Sequence, residues 1–125
     1  MDLSFEHPGE YLFVRRVGPG TVTVVDRDFR TSLLLTPERV VEDWAVSDAS
    51  QLTADDVETF VALGPELVLL GTGERQVFPP AAFMAGLLKK GIGVEAMTNG
   101  SAARTYSLLA GEGRKVLAAF ILPKV

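Results

Sequence analysis

The chain has no cysteine and a single histidine. Without cysteine there can be no disulfide, thiolate nucleophile, iron–sulfur ligation or cysteine-bound zinc. A metal site would have no second histidine to draw on either. A Ser–His–Asp triad would depend on His7, in an acidic, proline-flanked stretch (1–10) expected to be a mobile N-terminal segment. Basic residues are outnumbered, 12 Lys and Arg against 16 Asp and Glu, for a net charge of −4. They come in pairs at most, Arg15-Arg16 and Lys89-Lys90. Gripping nucleic acid takes several cations gathered on one surface, so nucleic acid is not an expected partner. Long apolar runs are missing as well: Leu67 to Leu70 and Val116 to Leu122 are far too short to span a bilayer. The start, Met1-Asp2-Leu3-Ser4, has neither a secretory nor a transit pattern, and the expected compartment is the cytoplasm.

What is present is an ordinary globular composition, 47% hydrophobic and 22% charged over 125 residues, enough for one domain over 1–125 with its own core. No repeat or low-complexity tract interrupts it. The first third reads as strands. Tyr11 to Val17 and Thr21 to Asp26 are β-branched and aromatic, with a turn at Gly18-Pro19-Gly20. Arg30 to Thr36, stopped by Pro37, and Val40 to Val46, with the only tryptophan, Trp44, continue an antiparallel meander.

The pattern then changes. Thr53 is placed to cap a helix, Asp56 to complete a capping box, and Leu52 to staple onto Val57. Val57, Phe60 and Val61 share a face, and Gly64-Pro65 ends the segment. Leu67 to Leu70 reads as a strand covered on both sides. A second helix starts at Pro79-Pro80, with a stripe of Phe83, Leu87 and Leu88, Lys89-Lys90 at its negative end and Gly91 closing it. Ile92 to Met97 is the next strand, Asn99-Gly100-Ser101 opens a third helix reaching about Ala110, and Val116 to Leu122 is a last buried strand. Strand–helix alternation implies parallel pairing with right-handed crossovers. The expected fold is α/β: a three-layer β+β/α sandwich with an N-terminal antiparallel meander and a C-terminal parallel βαβαβ unit. The meander either forms a second β layer or extends the same sheet. Trp44, Phe60, Phe83 and Phe120 are expected core residues.

Two loops follow the carboxyl ends of buried strands, Gly71-Thr72-Gly73 and Thr98-Asn99-Gly100-Ser101, and ligands of open α/β sheets lie at that edge. Amides at the start of the third helix favour an anion, and Arg104 and Arg114 could add charge. The candidate ligand residues are Gly71, Thr72, Gly73, Asn99, Ser101, Arg104, Thr105, Tyr106 and Arg114. Most have a plainer reading: a sharp strand exit for Gly71-Thr72-Gly73, helix capping for Asn99 and Ser101, and a carboxylate such as Glu112 or helix-end carbonyls for the arginines, while Tyr106 either covers the core or directs its hydroxyl into the crevice. Position 76, where a dinucleotide fingerprint needs glycine, is Gln76, and no Gly-Lys-Ser/Thr ending is present. Asp55-Asp56 belongs to a helix cap, and Glu42-Asp43 point to opposite faces of a strand. No acid–base pair, metal or cofactor is nominated.

The run Gly91-Ile92-Gly93-Val94-Glu95-Ala96-Met97, then Ala102-Ala103-Arg104-Thr105-Tyr106, then Glu112-Gly113-Arg114-Lys115-Val116, is similar to the ending of the Mth-type domain family. Leu69-Leu70-Gly71-Thr72-Gly73 and Trp44 also fall where that family's pattern has them, so the likeness covers roughly Thr36 to Pro123. The resemblance implies a three-layer fold of β plus β/α and no established enzymatic activity. For mitochondrial relatives it implies protein–protein binding during assembly of respiratory complex I. The chain departs from the pattern at Ala103 and Ser107, where relatives often carry Cys and Asn, and at Asn99, where Thr is common. A thiol-dependent site could not operate here. The expected function is therefore a non-enzymatic assembly or adaptor factor with protein partners. The alternative is a protein or weak enzyme that binds a small anionic metabolite in the crevice beside Gly71 and Arg104.

Overall fold

The computed structural model describes residues 11–124, so His7 and the expected mobile segment 1–10 lie outside the described residues. Three strands, β1 (Val14–Gly18), β2 (Thr21–Val24) and β3 (Arg27–Phe29), form a small antiparallel sheet. Five more, β4 (Leu33–Leu35), β5 (Val40–Val41), β6 (Leu67–Gly71), β7 (Gly93–Met97) and β8 (Val116–Phe120), form the main sheet in the order β5-β4-β8-β6-β7. β6 pairs in parallel with both β7 and β8, while β4 pairs antiparallel with β8 and β5. The helices are α1 (Ala54–Ala62), α2 (Ala81–Lys89) and α3 (Asn99–Gly111).

Side-chain alternation along β8 divides the interior into two cores. Leu117, Ala119 and Ile121 meet Phe60 of α1 and Phe83 and Leu87 of α2. Val116, Ala118 and Phe120 meet Ala102 and Tyr106 of α3 together with Val22, Val24 and Phe29 of the small sheet. The layers are thus α1 with α2, the main sheet, and then α3 beside the small sheet. Every residue of β6 from Val68 to Gly71 and all of β8 are buried, which is why both read as unbroken apolar runs.

The meander takes both of the routes open to it: its first strands build the second layer, while β4 and β5 extend the main sheet. The run Thr21 to Asp26 does not stay extended. It doubles back after Val24 through Val25, whose φ of 55° is a conformation that β-branched residues rarely adopt. Val40 to Val46 is a strand only over Val40–Val41; Trp44 beyond it is half-buried, edge-on to Phe60 with ring centroids 5.6 Å apart. In α1 the expected cap forms: Thr53 N–H donates to Asp56 Oδ2 at 2.8 Å, and Thr53 Oγ1 accepts from the first-turn backbone. Leu52 and Val57 are both buried in the same core. In α2 the stripe is narrower than expected. Phe83 and Leu87 are buried, but Leu88 is 60% exposed, one helical step beyond the strip that the sheet covers.

Candidate functional site

At the carboxyl ends of the parallel strands, Gly71 closes β6 opposite Met97, the last residue of β7. Both glycine-bearing loops therefore leave the sheet at one rim, and Asn99 binds them together. Its N–H donates to the Gly73 carbonyl at 2.8 Å, its Oδ1 accepts from Gly73 N–H at 3.2 Å, and its Nδ2 donates to the Ile121 carbonyl at 3.0 Å. Asn99 is buried, with all of its amide functions engaged by backbone. A β-carbon on residue 71 would collide with Asn99 Oδ1 and crowd the Ala119 carbonyl, so glycine is needed there for space. Gly73, at φ 110°, is needed for conformation.

Thr98 caps α3, not Asn99: Thr98 Oγ1 accepts from Ser101 N–H at 3.2 Å and donates to Ser101 Oγ at 3.1 Å. Arg104 folds back over this first turn, its Nη2 donating to Ser101 Oγ at 3.2 Å. It has no carboxylate partner among the described residues. A cation at the positive end of a helix dipole, without a counter-charge, is electrostatically unfavourable and attracts an anion.

The crevice between these loops has a volume of about 490 Å³. Thr72, Gly73, Asn99 and Gly100 make one wall, and the Gly18-Pro19-Gly20 turn of the small sheet makes the other. Glu74 also lines it, so a carboxylate stands at the mouth. Ser101 and Thr105 are half-buried along the first turns of α3, behind the wall. Thr72 works mainly on its own loop, donating to the Arg75 carbonyl at 2.6 Å and accepting from Val77 N–H at 3.0 Å.

Two candidates are placed elsewhere. Tyr106 is fully buried and its hydroxyl donates to the Leu12 carbonyl at 2.7 Å, so it faces the core and not the crevice. Burial pushes its phenol well above the ordinary range. Arg114 follows α3 and lies at the opposite end of the sheet, where its Nε meets Glu66 Oε1 at 2.6 Å. Glu66 is its partner in place of Glu112 because parallel pairing sets the starts of β6 and β8 side by side. The Arg114 guanidinium holds the Glu66 carboxyl below its usual range. There a second crevice, of about 690 Å³, is lined by Arg39, Arg114 and Lys115 among others. The hairpin wall, Glu74 and the Thr98 cap were not among the expected site residues. The hairpin was legible as a turn, but only the layer packing brings it opposite Gly73.

Residues 14–121 match the family described as protein of unknown function (DUF498/DUF598). The chain belongs to that family. A DUF498/DUF598 chain of this fold is similar to a solution structure from Xanthomonas campestris, with a TM-score of 0.83 and 43% identity over 98% of this chain and 92% of that one. It is also similar to a Bordetella pertussis protein described as an Mth938-like domain, with a TM-score of 0.77 and 28% identity over 97% and 92% of the two chains. A 13 kDa major membrane protein of Francisella tularensis subsp. holarctica is 31% identical over 71% of this chain and 73% of its own length. The human NADH dehydrogenase [ubiquinone] 1 alpha subcomplex assembly factor 3 is 34% identical over 71% of this chain and 49% of its own length. The chain thus spans about half the length of that assembly factor. Among the described residues no helix is long and apolar enough to cross a membrane. The α/β sandwich and the family resemblance read from the motifs agree with these matches.

Proposed function

We propose that this DUF498/DUF598 chain is a non-enzymatic assembly factor, which binds protein partners as a multi-subunit complex is put together. Respiratory complex I is the first complex to test, and the cytoplasm the compartment. The observation that carries this reading is the 34% identity to the human assembly factor, over 71% of this chain. A surface feature supports it. Phe78 is 76% exposed and its neighbour Val77 is 41% exposed, on a loop pinned by Thr72 and by the Gln76 side chain, whose Nε2 donates to the Ala96 carbonyl at 2.7 Å. Held out on a fixed loop, these two adjacent apolar side chains offer a partner an aromatic anchor at little ordering cost. Mild affinity purification of the full chain, at several expression levels, tests the reading. A reproducible protein partner that is lost with Phe78→Ser, together with fractionation into the soluble pool, is the expected result; recovery of this chain alone counts against it.

A second reading concerns the rim. Arg104, without a carboxylate partner over the first turn of α3, favours a small anion on the Gly100 side of the crevice beside Gly71, where the guanidinium lies close to Gly100. Phosphate or a carboxylate metabolite that binds the folded state would raise the melting temperature. Arg104→Ala would abolish that rise if the site is the one named here, and leave it intact if binding occurs elsewhere.

A further inference from the structure

Sheet edges carry rows of unpaired N–H and C=O groups and are the parts of a β protein most open to another chain. Among the described residues the two sheets have four edge strands, β1, β3, β5 and β7. β5 has two residues and β3 has three. β1 carries Arg15-Arg16, its register shifts between Val14 and Arg16, and the Arg15 guanidinium covers the Val25 carbonyl at 2.6 Å. Short length, charged side chains, bulges and covering groups are the devices that blunt an edge. β7 is the least protected of the four: it is five residues, Gly93 to Met97, without proline, cation or bulge, and its guards are the Glu95 carboxylate and the Gln76 side chain over one carbonyl.

Parallel pairing uses alternate residues of β7. Gly93 N–H donates to the Glu66 carbonyl and the Met97 carbonyl accepts from Thr72 N–H, so Gly93, Glu95 and Met97 direct their backbone groups at β6. Val94 and Ala96 direct theirs outward. Gln76 already occupies the Ala96 carbonyl. The Val94 N–H, the Val94 carbonyl and the Ala96 N–H have no partner strand among the described residues. Beside them runs α2. Its Gly86 faces α1, close enough to Val57 that a β-carbon would collide. The opposite flank carries Ala81, Met84 and Leu88, at the three- and four-residue spacing that aligns side chains. Met84 is half-buried against the core and Leu88 exposed, so this flank forms an apolar shelf along the free edge.

We propose that β7 accepts an extended segment of a protein partner as a sixth strand of the main sheet. The inference rests on the partner-binding reading above and names the surface where that partner is held. The incoming strand finds hydrogen-bonding groups at the edge, the Met84–Leu88 shelf on one face and exposed Glu95 on the other. A second copy of this chain is a poor occupant. Antiparallel self-pairing centred on Glu95, the register that uses both Val94 and Ala96, sets two carboxylates directly opposite each other, which is repulsive. The segment that fits alternates apolar residues for the shelf with a Lys or Arg for Glu95.

The absence of cysteine makes the test direct, because Lys90→Cys gives a single attachment point for a benzophenone at the start of the edge. The labelled full chain is photolysed with its native cell extract, and the adduct is mapped by mass spectrometry. An adduct on an extended segment of another protein is expected. It should be lost with Val94→Pro, which removes an outward N–H and leaves in place the backbone groups that Gly93 and Glu95 direct at β6. It should also be lost with Leu88→Glu, a surface change that guards against a folding defect in the proline variant. Amide exchange at Val94 and Ala96 should slow in the recovered complex. An adduct on a second copy of this chain, one that survives both substitutions, or none at all overturns the assignment. If affinity purification still recovers a partner from both variants, the assembly reading stands and only the β7 edge falls.

Discussion

A methyl group on residue 71 and the side-chain oxygen of Asn99 claim the same space at the end of β6. The Asn99 carboxamide holds the Gly73 loop and the end of β8 from within that space. Gly71→Ala should therefore destabilise by about 1–3 kcal/mol through overpacking. Asn99→Ala should cost about 1–3 kcal/mol by leaving a buried N–H and carbonyl unpaired. In the double variant the severest contact, with Asn99 Oδ1, is gone, so denaturant unfolding should give a loss smaller than the sum of the two. An additive result would separate the two residues.

Tyr106→Phe removes the donor to the Leu12 carbonyl from the core beneath the small sheet, and should cost about 1–3 kcal/mol. Burial also raises the phenol's folded pKa above its unfolded value of 10.0. The unfolded chain then releases this proton first, so stability falls as pH rises beyond 10.0. The phenylalanine variant should show a shallower alkaline loss in thermal melts.

Arg27 grips Glu42 through two hydrogen bonds of 2.8 and 3.0 Å and is the largest of the influences that lower its carboxyl to about 2. A carboxyl whose folded pKa is depressed contributes stability above its unfolded value and loses it as pH falls toward the folded one. Melting temperature should drop between pH 4.5 and about 2, and Glu42→Gln should flatten that stretch of the curve. An unchanged acid limb would remove this pair as its cause.

The Arg104 guanidinium reaches back over the first turn of α3, the end of the helix where a positive charge is disfavoured. Arg104→Ala should leave the fold intact and raise the melting temperature slightly at low ionic strength, an effect that added salt screens out. A fall in melting temperature would mean that the guanidinium supports the structure.

Local chemistry was the most legible part of the chain. The Thr53–Asp56 box and the apolar runs of β6 and β8 announce their structure within a few residues, and the motifs around Gly93 to Val116 pointed to the family. What sequence spacing could not give was pairing across distance. The Val25-Asp26 reversal contains no glycine, proline or asparagine, so Asp26 is the one turn-favouring residue at the point where Thr21 to Phe29 folds back. Whether the early strands joined one sheet or two depends on layer packing that no local pattern encodes. At the site, the glycine loops do leave the sheet at one rim, but Arg104 and Arg114 were grouped although the first reaches back over the start of α3 and the second lies beyond its end. At roughly 1.5 Å of rise per residue, a helix of that length carries its two ends to opposite sides of the sheet.

Among the described residues β8 comes last of the eight strands in sequence, yet it lies between β4 and β6, in the middle of the main sheet. During synthesis neither neighbour can complete its pairing until residues 116–120 have left the ribosome. Until then both cores lack their shared wall, and the nascent chain exposes apolar surface that other chains can capture. The main sheet is therefore joined from its middle, and β8 is the strand that unites its antiparallel and parallel halves.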